Sequence, residues 1–216
     1  MLKVTKPFNQ LLCILLFSSV SAFSVLGQET PYNQSSLISS KTGIDYTPLE
    51  ESLQQQQWLR ANEITTNLLL QSAEREQQGW IAIIQPKPPE DEVVNSLRIT
   101  TPIKCEDLRI IDDLWKKHSE GKFGFTVQLD VFLETDNVPG RLVDTEAYDK
   151  FGEKIGWRNQ DGWIQFKYNL NFSLQAPRGH LPNPRPEYQI TGGRMNYIAL
   201  TQTMQDCGMQ RVAVSR

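Results

Sequence analysis

The sequence has few residues of the types that build metal sites. It contains three cysteines and two histidines in 216 residues. No C-x-x-C pair occurs, so a structural zinc site is not expected, and two histidines do not support a histidine-rich site. The formal net charge is -3, so there is no basic excess to attract a phosphate backbone. Nucleic-acid binding is therefore not expected.

The sequence also lacks the short motifs that carry common enzyme chemistry. It has no G-x-S-x-G, no H-E-x-x-H, no Walker loop and no G-x-G-x-x-G after a strand. Two acidic pairs, Asp112-Asp113 and Asp91-Glu92, consist of adjacent residues. On a helix such neighbours diverge by about 100° and do not face one substrate, so they are interpreted as solvent-exposed surface. The sequence indicates a protein that is not an enzyme.

Residues 1–27 have the pattern of a targeting segment. Two lysines precede an apolar run at residues 11–17, and Val20-Ser21-Ala22 is a small-residue cleavage pattern. We expect a signal peptide and export to a periplasm or thylakoid lumen. The alternative is an uncleaved membrane anchor, because residues 8–27 carry no charge and about 20 residues just span a hydrocarbon core.

Three further segments complete the expected organisation. Residues 28–44 are polar and rich in Ser and Gln, which is typical of a flexible linker. A folded domain is expected over residues 45–207, with a tail at 208–216. Cys105 and Cys207 would meet in a compartment that permits disulfides if the leader is removed. Their spacing leaves open whether they pair or remain two separate buried thiols.

Apolar periodicity predicts five helices. One begins at Thr47-Pro48, and the others are predicted over residues 58–76, 105–120, 144–157 and 195–207. Glycines that follow the second and third helices are expected to end them.

Two segments between the helices give other signals. Apolar residues alternate over residues 123–133, which by itself predicts a strand. Residues 80–103 contain prolines that forbid a continuous helix, yet they are apolar enough that we expect the loop to fold over other parts of the domain.

Several blocks of this sequence, taken in order, resemble one known family. They are CEDLRIIDDLW, GKFGFTVQ, FGEKIGW and WIQFKYNLNFSLQAPRGHLP, preceded by the helix that contains Trp58, Leu69 and Gly79-Trp80. The chain is identified by these blocks as similar to the genomes-uncoupled-four family over residues 46–182.

The resemblance implies an all-α fold, a single compact domain of several short helices with a hydrophobic cleft. It also implies that residues 123–133 are largely helical, against their alternating pattern. Members of the family bind protoporphyrin IX and its magnesium form, and stimulate magnesium chelatase in chlorophyll synthesis without catalysing a reaction. The resemblance therefore implies a cyanobacterial or plastid-type tetrapyrrole-binding regulator, monomeric, with a porphyrin ligand and a chelatase subunit or another protein as partners.

A porphyrin is a flat apolar disc with two carboxylates on one edge, so its site needs apolar or aromatic walls and cations at the rim. One region of the sequence supplies both. The candidate porphyrin-binding residues are Phe123, Phe125, Trp157, Trp163, Phe172, Arg178, His180 and Arg185. Phe166 and Arg158 are further candidates of the same kinds.

Each candidate also has a structural interpretation. Large rings such as Trp115, Phe151, Trp157 and Phe172 are most often core residues. His180 is a possible axial ligand of a metalloporphyrin, but the favoured interpretation is that its ring binds backbone groups and fixes the loop. His118, near a predicted helix end, is expected to be exposed and structural.

Two features depart from the family pattern. The segment between Trp80 and Cys105, which the resemblance implies is part of the porphyrin cleft, is longer and richer in proline than expected. The leader directs export, whereas chelatase works on the side of pigment synthesis. The ligand is accordingly left open among protoporphyrin, haem, a bilin or another tetrapyrrole. The alternative function is an exported protein-interaction module that uses the same fold without a pigment.

Overall fold

The computed structural model of the chain describes residues 37–86, 97–141, 145–165, 167–184 and 193–209. The predicted signal segment and most of the predicted linker lie outside these residues. Six α-helices lie within them: α1 (Thr47–Gln54), α2 (Trp58–Ser72), α3 (Cys105–His118), α4 (Phe125–Leu133), α5 (Thr145–Lys154) and α6 (Arg194–Asp206). The predicted all-α class is confirmed.

Two short antiparallel hairpins and one turn of 3-10 helix complete the described elements. The first hairpin pairs β1 (Ile83–Pro86) with β2 (Leu97–Thr100), and the second pairs β3 (Arg158–Asn159) with β4 (Gly162–Trp163). The 3-10 turn follows at Lys167–Asn169. The first hairpin explains the apolar loop of the sequence, because β2 packs against α6 and buries Ile99.

The folded domain includes residues before 45, the position at which the sequence predicts its start. Ile38 and Asp45 form an antiparallel bridge, and Ile44 is buried in the core. The last residues of the predicted linker thus belong to the domain, because the tight turn between Ile38 and Asp45 returns the chain to the start of α1.

The helix α2 ends at Ser72, earlier than the residue 76 that periodicity predicts. Glu74 adopts a left-handed conformation, with φ of 54°, and the N–H of Arg75 donates to the carbonyl of Leu70 at 2.9 Å. This is a Schellman motif, in which glycine usually occupies the left-handed position. The sequence therefore gives no signal for this helix end, because a glutamate occupies the position at which glycine is usual.

The strand predicted by alternation over residues 123–133 is wrong, and the helix implied by the family resemblance is confirmed. Helix α4 is buried around most of its circumference, including Phe125, Val127, Leu129 and Phe132. A helix that is apolar on nearly all sides carries no clear 3.6-residue period, so its sequence also fits a strand.

The interpretation of Asp112 as solvent-exposed surface is also wrong. Asp112 is 1% exposed, whereas the Asp113 side chain is 73% exposed. The Asp112 carboxylate accepts hydrogen bonds from Thr126 at the start of α4 and pairs with Lys116 at 2.9 Å. Asp112, a residue of α3, therefore caps the amino terminus of α4.

The core is rich in aromatic rings. Trp58, Trp115 and Phe123 form one cluster between α2 and α3, where the Trp115 indole donates to Thr65 Oγ1 at 2.9 Å. Phe132, Phe151, Trp157 and Tyr197 form a second cluster between α4, α5 and α6. Trp115, Phe151 and Trp157 are therefore core residues, in agreement with their structural interpretation.

Two contacts tie distant parts of the chain together. Cys105 at the start of α3 and Cys207 after α6 form a disulfide, with Cα atoms 5.4 Å apart. The two cysteines are therefore paired and are not two separate buried thiols. His118, predicted to be exposed, is instead half-buried, because its Nε2 contacts the Glu50 carboxylate of α1 at 2.9 Å.

Candidate ligand-binding cleft

Three of the predicted porphyrin-binding rings lie inside the core. Phe123, Phe125 and Trp157 have no exposed surface. The Trp157 indole donates to the carbonyl of His180 at 2.7 Å. These rings do not line an open cleft in this structure, and their contact with a ligand stays a prediction.

Two further predicted rings lie at the edge of the core. Trp163 is half-buried, stacks on Tyr148 with ring centroids 4.9 Å apart, and donates its indole N–H to Asp149. With neighbouring polar residues it borders an open depression of about 320 Å³. Phe172 packs against the core without being fully buried. Phe166 lies outside the described residues.

The predicted cations that the structure describes are bound to carboxylates of the same chain. Arg178 contacts Asp130 at 2.9 Å and Glu134 at 3.1 Å. Arg158 pairs with Glu153 and, more distantly, with Asp149. Arg185 lies outside the described residues. The described predicted arginines therefore have partners already, and a carboxylated ligand would have to displace them.

The hydrogen bonds of His180 agree with its loop-fixing interpretation. The side chain is 1% exposed, Nδ1 contacts the carbonyl of Ile155 at 2.6 Å, and Nε2 accepts the N–H of Asn171 at 3.0 Å. Nδ1 consequently carries the proton. Both ring nitrogens are engaged, so the axial-ligand role has no support from this geometry.

A different set of residues forms an apolar cleft between α2, the entry to β1 and the start of α6. Its cavity is a narrow slit of about 10 Å³. The lining residues are Thr66, Leu69, Leu70, Gly79, Trp80, Ile81, Pro184 and Asn196. We call it the Trp80 cleft. It brings residues of the 66–81 region together with Pro184 and Asn196, which come much later in the sequence.

The exposed apolar surface beside this cleft is concentrated in Trp80. Its side chain is 51% exposed, whereas Trp58, Trp115 and Trp157 are 5% exposed or less. Ile84 on β1 and Met195 in the first turn of α6 are also exposed large apolar residues. An exposed indole beside apolar walls is the type of surface on which a flat apolar molecule stacks.

Two arginines lie on the segments that border the cleft. The Arg75 Nε donates to the carbonyl of Trp80 at 2.8 Å. At the start of α6, the Arg194 guanidinium lies 5.1 Å from the centre of the Tyr148 ring. Burial, and to a lesser extent the neighbouring Tyr148, raises the pKa of Tyr197 well above its ordinary value of 10.0.

Sequence reasoning missed most of the cleft residues, and Leu70, Pro184 and Asn196 were not among its candidates. Trp80 was noted only as part of the family pattern. Two signals pointed to this region: the apolar content of residues 80–103, and the family resemblance, which implied that the loop after Trp80 contributes to the porphyrin cleft. Within the described ranges, no group of three or more metal-ligating side chains occurs, and no helix is long and apolar enough to span a membrane.

Comparison with known proteins decides the family. The model of the family described as GUN4-like matches residues 39–196. The chain belongs to the GUN4-like family. This is the family that the sequence blocks indicated, and the match covers α1 to α5, both hairpins and the start of α6.

Two relatives of this GUN4-like chain have similar sequences. A Ycf53-like protein of Synechocystis sp. (strain ATCC 27184 / PCC 6803 / Kazusa) is 33% identical over 147 residues, which are 67% of this chain and 53% of that protein. The chloroplastic tetrapyrrole-binding protein of Arabidopsis thaliana is 30% identical over 146 residues, 66% of this chain and 49% of that protein. The chain thus spans about half the length of these relatives.

Solved structures of the GUN4-like family have the same fold. GUN4 from Chlamydomonas reinhardtii superposes with a TM-score of 0.52 at 26% identity, covering 76% of this chain and 93% of that one. The ligand-free structure of Arabidopsis thaliana GUN4 gives a TM-score of 0.50 at 24% identity, covering 76% and 96%, and bears on the fold alone.

Proposed function

We propose that this GUN4-like chain is a non-catalytic tetrapyrrole-binding protein that holds its ligand at the Trp80 cleft. The observation that carries the proposal is the half-exposed Trp80 beside Leu70, Ile81 and Pro184. The Arabidopsis relative, named a tetrapyrrole-binding protein, supports the class of ligand.

The shape of the cleft determines how the ligand is held. Small-molecule pockets usually enclose roughly 300–1,000 Å³, whereas the slit measures about 10 Å³. A porphyrin therefore lies on the open face of the cleft, stacked on the Trp80 indole. Burying the disc releases water from both surfaces, and Arg75 and Arg194, on segments that border the cleft, are candidates to meet its carboxylates.

The engaged histidines bear on which tetrapyrrole binds. Both nitrogens of His180 are hydrogen-bonded, and His118 contacts Glu50. We expect binding through the flat face and the carboxylates of the ligand, so that protoporphyrin IX and its magnesium form bind with similar affinity. Haem and a bilin are the further ligands to compare.

Fluorescence of the tryptophans tests the proposal. Protoporphyrin IX added to residues 28–216 is expected to quench the emission with saturation at micromolar concentration. Trp80→Phe should weaken binding by about tenfold, since stacking on an aromatic ring contributes roughly 1–3 kcal/mol per flat base in comparable sites. Trp163→Phe, which changes a half-buried tryptophan of the sequence-predicted set, is the matched control.

Comparison of the two variants shows where the ligand binds. Loss of affinity in the Trp80 variant alone supports the cleft, and loss in the Trp163 variant alone moves the ligand to the depression at Trp163. If no tetrapyrrole quenches the tryptophan fluorescence of the folded protein with saturation, the proposal fails. The alternative, a protein-interaction module without a pigment, is then favoured.

We further propose that the domain is exported, because residues 1–27 have the pattern of a leader. Mass spectrometry of the mature amino terminus tests this. A start at Phe23 or Gln28 in an exported fraction supports it and argues against a magnesium chelatase subunit as partner. An intact Met1 form with the domain on the side of pigment synthesis would contradict export and favour that partner.

A further inference from the structure

The walls of the Trp80 cleft are joined to neighbouring helices by two buried asparagines. Asn196 in the first turn of α6 is 3% exposed, and Asn62 on α2 is 1% exposed. Asn196 lines the cleft itself, whereas Asn62 lies one turn before Thr66, which also lines it. Each side chain binds backbone groups of a segment that has no regular secondary structure.

Asn196 fixes the wall that contains Trp80. Its Oδ1 accepts the backbone N–H groups of both Ile81 and Ala82, each at 3.2 Å. These residues immediately follow Trp80 and precede β1. One side-chain oxygen therefore satisfies two consecutive donors and ties the strand entry to α6.

Asn62 fixes a second wall, the one that contains Pro184. Its Oδ1 accepts the N–H of Asn183 at 2.6 Å, and its Nδ2 donates to the carbonyl of the same residue at 3.3 Å. The amide thus pairs with the backbone as a neighbouring strand would. Pro184, the next residue, lines the cleft.

We propose that Asn62 and Asn196 are positioning residues that hold the two walls of the Trp80 cleft at the separation its flat ligand requires. This inference rests on the proposed tetrapyrrole binding. A wall that is already fixed loses little freedom when the ligand binds, so preorganisation raises affinity without a direct contact.

The two side chains use their amides differently, which gives the inference a sharp test. Asn196 acts as an acceptor toward Ile81 and Ala82, so Asn196→Asp keeps the oxygen that matters. Asn62 both donates and accepts, so Asn62→Asp loses the donor and brings a carboxylate oxygen against the Asn183 carbonyl. The same substitution should be tolerated at one position and damaging at the other.

Asn137 provides a matched control. It is also buried, at 8% exposure, and its Nδ2 donates to the carbonyl of Ala147 at 2.8 Å, away from the residues that line the cleft. Asn137→Ala is expected to lower stability without changing affinity for protoporphyrin IX.

The first measurement is amide hydrogen exchange of the wild-type chain, which needs no ligand. The N–H groups of Ile81, Ala82 and Asn183 are expected to be protected. Asn196→Ala should remove the protection of Ile81 and Ala82 only, and Asn62→Ala that of Asn183 only. Serine variants replace the alanine variants if those do not fold. Fast exchange of all three amides in the wild type would overturn the inference.

The second measurement is affinity for protoporphyrin IX at a temperature where every variant is folded. Loss of two hydrogen bonds should weaken binding by about tenfold in Asn62→Ala and Asn196→Ala. A similar loss is expected in Asn62→Asp, where a carboxylate oxygen faces the Asn183 carbonyl, and less than about threefold in Asn196→Asp. Wild-type affinity in both alanine variants, or equal weakening in Asn137→Ala, would overturn the inference. If the wild-type chain binds no tetrapyrrole, the proposed function fails, and the exchange pattern alone decides whether the asparagines position the walls.

Discussion

The carboxylate of Asp112 on α3 accepts both the backbone N–H of Thr126, at 2.9 Å, and its hydroxyl, at 3.1 Å. Both bonds end on the same oxygen, and the second oxygen also contacts the hydroxyl. The Asp112 carboxylate lies close to the backbone just before α4: a Cβ added at Gly124 would come within 2.8 Å of it. The start of α4 is thus held by a side chain that lies 14 residues earlier in the sequence.

Removing this cap should destabilise the domain. We expect Asp112→Ala to lower the free energy of unfolding by about 1–2 kcal/mol, because a buried N–H at a helix start loses its acceptor. Asp113→Ala removes a neighbouring, exposed carboxylate and should change stability by less than about 0.5 kcal/mol. Urea unfolding of the two variants measures the difference. Equal effects would contradict the capping role.

The pair of Glu50 and His118 should make stability depend on pH. Burial by itself would raise the pKa of Glu50, but hydrogen bonds from Lys117 and His118 outweigh it, so the pKa lies below the ordinary value of 4.5. A depressed carboxyl pKa contributes stability that is fully present above the unfolded-state value and is lost as the pH falls through the folded-state value.

The difference in unfolding free energy between the wild type and Glu50→Gln should therefore be largest near neutral pH and shrink below about pH 4.5. Denaturant unfolding at a series of pH values measures it. Glu51→Gln, at an exposed neighbouring position, is the control and should show no comparable trend. A difference that grows on acidification would have the wrong sign and would reject the interpretation.

The disulfide between Cys105 and Cys207 should contribute strongly to stability. The two cysteines are 102 residues apart, and in the chain-entropy account a loop of that length corresponds to about 4–5 kcal/mol. Reduction should lower the guanidinium midpoint of the wild type by a corresponding amount. The double variant Cys105→Ser, Cys207→Ser should already have the low midpoint and be insensitive to reductant. Identical midpoints with and without reductant would show that the bridge does not contribute.

Glycine at the left-handed end of α2 should stabilise the protein. Glu74 has a φ of 54°, a conformation that costs a residue with a Cβ about 1–2 kcal/mol. Part of the gain is offset by the greater freedom of glycine in the unfolded chain. We expect Glu74→Gly to raise the unfolding free energy by roughly 0.5–1 kcal/mol. Glu76→Gly, in the turn that follows, should not stabilise, and thermal unfolding distinguishes them.

The helices could be predicted from the sequence where an amphipathic pattern meets a local stop signal. Helix α3 has a clear apolar face, acids in its first turn and lysines in its last; its predicted start agrees with the structure, and it ends at His118, shortly before the predicted stop at Gly121. The end of α2 could not be predicted in this way, because the residue in the left-handed conformation is Glu74 and not a glycine, which would have indicated a helix end. Helix α4 needed the family resemblance, since burial on most sides removes the period.

The candidate site was less accessible to sequence reasoning than the fold. Aromatic residues near arginines predict ligand contacts, but Phe123, Phe125 and Trp157 fill the core, and Arg178 pairs with acids of the same domain. The cleft depends on Trp80 and Pro184, which are brought together only by tertiary structure. No local pattern marks a pair of residues separated by most of the domain.

The bridge between Cys105 and Cys207 also gives the chain a closed covalent ring that runs through α3, α4, α5 and α6. A protease that cuts one peptide bond within this ring releases no fragment, because the two new ends remain joined through the sulfur atoms. The helices that bury the second aromatic cluster therefore stay in one molecule after a first cut. Only a second cut, or reduction, separates them.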